Sequence, residues 1–204
     1  MSRGRRNTLF VFTALLAFAF ACFDRTAIHH KQHHPQTAGQ SAALDVEKYH
    51  TKIFTVVNVV DGDTIDINIP DGQYNHTRIR LWGVDTPETK KPNTPIMHFG
   101  PEASEFTKEL TDGNTVTIYL DEKQTRDKYD RLLAYVKLKN GKFLNEELLR
   151  EGFAYADLRF KHDFYNRYKQ LEAAARRQKK GLWEKVTPEQ MPEWKQKRIF
   201  SSEL

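Results

Sequence analysis

Three runs of alternating residues, separated by Asp-Gly turn signals, constrain this chain more than any other feature. Ile53 to Val60 is β-branched and aromatic, Asp61-Gly62 follows, and Thr64-Ile65-Asp66-Ile67-Asn68-Ile69 then alternates strictly between polar and apolar. That pattern is a half-buried strand, and two strands joined by so short a turn run antiparallel. Asp71-Gly72 repeats the signal before a third run, Thr77 to Val84, which carries Ile79 and Leu81 on one face. Val116 to Leu120 and Leu132 to Leu138, the latter closed by Asn140-Gly141, bring the number of strands to five. Five suits a small closed barrel.

Three helices punctuate the strands. Pro101 stands where a first-turn proline is favoured, and Ala103, Phe106, Thr107 and Leu110 recur at helical spacing until Asp112-Gly113. Asn145 is placed to cap a short helix carrying Leu148 and Leu149, which stops at Gly152. Phe164, Tyr168, Leu171 and Ala175 form the stripe of the third and longest, terminated by Gly181. Beyond Val186 the chain shows no clear pattern; Trp194, Ile199 and Phe200 are available to pack back on the domain.

Parity singles out Asp63. It shares a face with Ile65, Ile67 and Ile69, so it points toward the barrel interior, where a carboxylate is costly unless paired or bound to a cation. Asp85 is a second carboxylate, followed by Thr86-Pro87, in which the proline forces Thr86 toward extended backbone and fixes the directions of its carbonyl and of Glu88. Two carboxylates, a carbonyl and waters make an all-oxygen site that suits Ca²⁺ better than Zn²⁺. Glu88 is then a third carboxylate within reach of a metal-bound water, and Arg80 and Arg131 are planar forks suited to a phosphate. Together these are the parts of a metal-assisted phosphodiesterase.

The segments Asp61-Gly62-Asp63-Thr64, Arg80-Leu81-Trp82-Gly83-Val84-Asp85-Thr86-Pro87-Glu88-Thr89 and Asp127-Lys128-Tyr129-Asp130-Arg131 resemble the staphylococcal (micrococcal) nuclease family, from about Val56 to Trp183. The resemblance implies an α+β fold, a five-stranded OB-fold β-barrel with three helices. It implies one catalytic Ca²⁺ on Asp63, Asp85 and the Thr86 carbonyl, with Glu88 as general base and Arg80 and Arg131 on the phosphoryl group. Lys128 and Tyr129 would contact a flanking phosphate or base. The implied activity is endonucleolytic hydrolysis of DNA and RNA leaving 3′-phosphate ends. The chain departs from the pattern twice: Asp130 stands where a Gly is familiar, and Leu158 and Phe160 replace paired tyrosines, leaving Phe160 as the second substrate-binding aromatic. A non-catalytic OB module that binds nucleic acid or tethers a partner at the surface is the alternative, since fold alone does not settle function.

The ends of the chain are different in kind. Arg3, Arg5 and Arg6 precede an apolar run from Leu9 to Phe23, the layout of an export signal and short for a membrane span. Ala19-Phe20-Ala21 fits a signal-peptidase site, but Cys22, the single cysteine, also sits where lipoproteins are acylated; secretion, lipid anchoring and an uncleaved N-terminal anchor stay open. Removing the first 21 residues removes three arginines and no acids, taking the formal charge from +5 to +2. So mild a charge permits nucleic-acid binding without arguing for it. The resulting organisation is a signal or anchor (1–22), a polar linker (23–49) with four histidines between His29 and His34, the barrel domain (50–185) and a tail (186–204), expected to act as a monomer. Metal collection by the histidines is a separate reading that makes the tether the functional part.

Overall fold

The computed structural model describes residues 38–89 and 97–202; the apolar N-terminal run, Cys22 and the histidines of the linker lie outside the described residues. Helix α1 (Ala38–Tyr49) precedes an antiparallel meander of β1 (Ile53–Asp61), β2 (Thr64–Ile67) and β3 (Thr77–Leu81). A two-residue strand β4 (Val84–Asp85), helix α2 (Gly100–Thr111) and strands β5 (Thr115–Tyr119) and β6 (Leu132–Lys137) follow. β5 pairs antiparallel with β1 and β6, and β6 runs parallel to β3, which closes the barrel in the order β1-β2-β3-β6-β5. Then come α3 (Leu144–Arg150), β7 (Tyr155–Ala156), paired with β4, α4 (Tyr165–Arg177), 3-10 turns at Gly181–Glu184 and Pro188–Gln190, and α5 (Glu193–Ser202). This is the expected α+β OB barrel, with five described helices instead of three.

Val56, Ile65, Ile67, Ile79, Val116, Ile118 and Leu132 fill the barrel and are inaccessible to solvent or nearly so. Each such side chain contributes about 1.5–3 kcal/mol by leaving water. The β1–β2 register shifts twice, between Val56 and Asn58 and between Val59 and Asp61. Bulges bend a strand and add twist, so these let a short sheet curl shut and leave Asp61 opposite Thr64 at the barrel mouth. Strict alternation in β2 suggested one solvated face, yet Thr64 to Ile67 are all buried. Asp66 on the outer face is covered by Arg78, which donates to both its oxygens at 2.9 and 3.1 Å, and by Asn58 at 3.0 Å.

Three local expectations are corrected. The last twelve residues of the expected linker are helix α1, held by a carboxylate instead of an apolar stripe. Asp45 accepts two hydrogen bonds from Arg126 (2.7 and 2.9 Å) and one from Thr125 (2.8 Å), and Tyr49 meets Thr77 at 3.0 Å. Asn145 does not cap α3, whose flanking residue is Phe143; it is fully buried inside the helix. There it accepts from the Val136 N–H at 3.0 Å and donates to the carbonyls of Trp82 and Ala134, stitching α3 to β6 and the β3–β4 turn. The tail is ordered as a 3-10 turn and α5. Trp194 packs on a second small core of Tyr155, Ala175, Leu182, Trp183 and Met191, while the side chains of Ile199 and Phe200 lie outside the described residues.

Candidate active site

The ladder between β2 and β3 pairs Thr64 with Arg80, and the Leu81 N–H donates to the Asp63 carbonyl at 2.9 Å. Asp63 and Arg80 therefore emerge side by side from the barrel mouth. The chain then reverses through Trp82-Gly83, where Gly83 has φ 78°, a left-handed value that a Cβ disfavours. A Cβ there would also lie 2.5 Å from the His162 ring, so only glycine brings β4 back past the end of β3. Gly62 plays the complementary part: a Cβ on it would stand 2.8 Å from the Thr86 side chain, so the β1–β2 turn rests directly on Thr86.

These approaches gather the polar groups. Asp63, 5% exposed, accepts from the Thr86 N–H at 2.8 Å, the Thr86 hydroxyl at 3.1 Å and the Thr64 hydroxyl at 3.1 Å. One terminal nitrogen of Arg80 lies 3.1 Å from Asp63 Oδ2 and 2.7 Å from Asp85 Oδ1. Its other donates to the carbonyls of Val84 (2.7 Å) and Leu81 (3.1 Å). A single cationic nitrogen thus stands between the two carboxylates that parity and motif had singled out. Burial opposes the charge on Arg80, but Asp63, Asp85, Asp61 and Asp157 outweigh it and hold the guanidinium above its ordinary pKa. Burial pushes Asp85 up to about 6, against the pull of Arg80, and burial with the neighbouring Asp63 charge pushes Asp61 up to about 7. The barrel mouth carries more negative charge than one arginine balances comfortably.

Opposite, the Asp127–Arg131 segment wraps a carboxylate. Asp127 accepts from the Tyr129 and Arg131 N–H groups at 2.9 and 3.0 Å and pairs with the Arg131 guanidinium at 2.7–2.8 Å. Asp130 has φ 64°, the left-handed conformation that explains why glycine suits that position. The Tyr129 ring, 68% exposed, has the Lys128 ammonium 4.9 Å and the Arg131 guanidinium 5.5 Å from its centre. Phe160, 48% exposed, leans on Trp82 at 5.8 Å. Glu88 accepts from the Thr89 N–H at 3.0 Å. Arg80, Glu88, Arg131, Asp63, Asp85, Thr86, Lys128, Tyr129 and Phe160 all line one cleft of about 450 Å³.

The same cleft is lined by residues that sequence reasoning gave no role. In the sequence Asp61 belongs to a turn and Asp127 to the segment that ends at Arg131, and neither pattern gives its carboxylate a role; both line the cleft. Asp157 and Arg159 form a two-bond ion pair at 2.7–2.8 Å, with Arg159 3.7 Å from Asp85. Their i, i+2 spacing after a short strand was the available signal. Trp194 donates its indole N–H to Asp85 Oδ2 at 2.7 Å, and no local pattern could have announced a contact 109 residues away.

Asp63, Asp85 and the Thr86 carbonyl are an all-oxygen donor set fit for a hard cation, and the Arg80 nitrogen between the carboxylates marks where positive charge is wanted. Among the described residues no three His, Cys, Asp or Glu are grouped to hold an ion. Two carboxylates with few other protein ligands leave positions for a substrate oxygen and water. The cleft therefore offers carboxylates for a cation and a base, arginines for a phosphate, and two exposed rings for bases.

A family model described as "Staphylococcal nuclease homologue" matches residues 78–185. Thermonuclease of Staphylococcus hyicus is 39% identical over 147 residues, covering 72% of this chain and 84% of that protein. Thermonuclease of Staphylococcus intermedius is 42% identical over 133 residues, 65% of this chain and 76% of the relative. Endonuclease YncB of Bacillus subtilis (strain 168) is 36% identical over 160 residues, 76% and 74% of the two chains.

Proposed function

Because the chain belongs to the staphylococcal nuclease family, and so is a nuclease, we propose that it is an exported, Ca²⁺-dependent endonuclease that hydrolyses DNA and RNA and leaves 3′-phosphate ends. The observation that carries this reading is the convergence on one cleft of the carboxylate pair, Glu88 and the two arginine forks. Asp63, Asp85 and the Thr86 carbonyl hold the calcium, which when bound supplies positive charge to the phosphoryl oxygen. Glu88 takes the proton of the attacking water as its oxygen bonds to phosphorus. The P–O5′ bond breaks, the departing oxygen takes a proton from a water beside Arg131 while the proton held by Glu88 returns to solvent, and Arg131 with Arg80 donates to the equatorial oxygens as they gain charge.

In the free protein both forks are occupied, Arg80 by Asp63 and Asp85 and Arg131 by Asp127. Those carboxylates keep the guanidiniums oriented until a phosphate competes for them. Tyr129 and Phe160, exposed on the cleft wall, offer stacking surfaces to unpaired bases, a sequence-tolerant contact worth about 1–3 kcal/mol per base. Substrates with single-stranded or frayed regions are thereby favoured. Lys128 reaches a flanking phosphate. The basic N-terminal residues and the apolar run to Phe23 direct the protein out of the cytoplasm, free or held through Cys22 or the apolar segment itself.

Digestion of single-stranded DNA and RNA oligonucleotides, with calcium and with other divalent ions, followed by end-group analysis, tests this reading. Products ending in 3′-phosphate and 5′-hydroxyl, formed only with calcium, are expected; 5′-phosphate products, or full activity in a chelator, would overturn it.

A further inference from the structure

We propose that Trp194, on the C-terminal helix α5, is a positioning residue that holds the calcium-binding carboxylate of Asp85 in its working orientation. The inference rests on Asp85 being a calcium ligand, as argued above. It concerns a residue outside the 78–185 span of the family match.

Each oxygen of Asp85 has its own donor. Arg80 takes Oδ1 at 2.7 Å and the Trp194 indole N–H takes Oδ2 at 2.7 Å. A carboxylate has about four acceptor positions, so each oxygen keeps one for a cation. The chemistry of the second donor matters. A lysine or arginine at that point would compete with a cation for the same charge, whereas an indole N–H fixes the carboxylate plane and adds no charge. Arg159, whose guanidinium lies 4.6 Å from the Trp194 ring, is drawn into a two-bond pair with Asp157 and stays 3.7 Å from Asp85. Trp194 thus occupies the place beside Oδ2 that a cationic side chain would otherwise take.

The helix that carries the indole is fastened firmly enough for the task. Lys195 forms an ion pair with Glu172 of α4 in which both side chains are under 10% exposed. Gln196 donates to the Met191 carbonyl at 2.7 Å, and Arg198 donates to the Leu158 carbonyl. The ring itself packs on the core of Tyr155, Ala175, Leu182, Trp183 and Met191. A residue so held transmits its position to Asp85. Hydrogen-bond partners of metal-binding carboxylates are commonly worth 10–100-fold in affinity.

Trp194→Phe keeps an aromatic ring, smaller than the indole, and deletes the donor. Calorimetric titration of the whole protein should show its calcium dissociation constant raised about 10-fold over wild type. The indole N–H resonances supply a reading that does not depend on the variant folding. Among the described residues Trp82 and Trp183 have no hydrogen-bond partner for their N–H groups whereas Trp194 does, so the Trp194 signal is expected to lie strongly downfield of the other two. That signal should move on adding calcium, with the calorimetric midpoint, and should shift upfield in Asp85→Asn. A Trp194→Phe protein that is less stable but binds calcium as wild type does, or a downfield indole signal indifferent to calcium, would overturn the inference and leave the calcium reading standing. No calcium binding by wild type would overturn both.

Discussion

Arg80 shows how much of the site one side chain organises. Its guanidinium is the cation between Asp63 and Asp85, and its second nitrogen fixes the carbonyls of Leu81 and Val84. Replacing it with alanine leaves two carboxylates facing each other at the barrel mouth. Removing one partner from a buried ion pair costs about 3–5 kcal/mol. Arg80→Ala is therefore expected to unfold well below wild type in a chelator and to gain more from added calcium than wild type does, as thermal unfolding in both conditions would show. Asp61 gives a pH signature of the same crowding. Its folded pKa, about 7, lies above the ordinary 3.8, so its contribution to stability is present at about pH 4 and is lost as pH rises through 7. His162, held low by burial, works in the opposite direction up to about pH 6.5, and so the informative quantity is a difference. In a chelator, Asp61→Asn should gain stability relative to wild type as pH climbs from 4 to 7, read from urea midpoints; a constant difference would contradict the assignment.

Strands and helices differed in how plainly they could be read. The five barrel strands announce themselves because a period of two is short and repeated, and because Asp-Gly pairs mark two of their junctions. Parity also placed Asp63 at the mouth, where it is buried beside Thr86 and Arg80. Helix α1 was illegible for a physical reason: its anchor is the polar Asp45, and its apolar contacts are little more than Val46 and Tyr49. Asn145 misled in the same way, since a buried asparagine that satisfies three backbone groups looks in sequence like a cap. Asp85 was visible as a motif residue, but its partners Trp194 and Arg159 were not, because they are contributed by distant parts of the chain. Helix α1 is tied to the barrel domain through Asp45 and Tyr49. Asp45→Ala strips Arg126 and Thr125 of a shared acceptor but leaves Arg126 paired with Asp71, and should destabilise the protein by about 1.5–3 kcal/mol, with truncation to Lys52 costing at least as much; equal urea midpoints for wild type and variant would show α1 to be dispensable.

Across the whole molecule, the barrel supplies rigidity and its mouth supplies charge. Apart from Arg3, Arg5 and Arg6 the chain carries a formal charge of only +2, so long-range attraction to nucleic acid by the rest of the protein is weak, and affinity is expected to depend on the few placed cations of the cleft. The three phosphate contacts proposed for Arg80, Arg131 and Lys128 predict that the logarithm of the single-strand binding constant falls with the logarithm of salt with a slope of about −2. Lys128→Gln should reduce that slope by about 0.7, measurable by fluorescence anisotropy on labelled single-stranded DNA. The most direct measurement is cleavage of single-stranded DNA by wild type and by Glu88→Gln, each with calcium and with a chelator. The predicted result is calcium-dependent cleavage by wild type and a rate about 10²–10⁴-fold lower in the variant, which still folds and binds the DNA. Undiminished cleavage by Glu88→Gln, or no cleavage by a folded wild type that binds DNA in calcium, would contradict it.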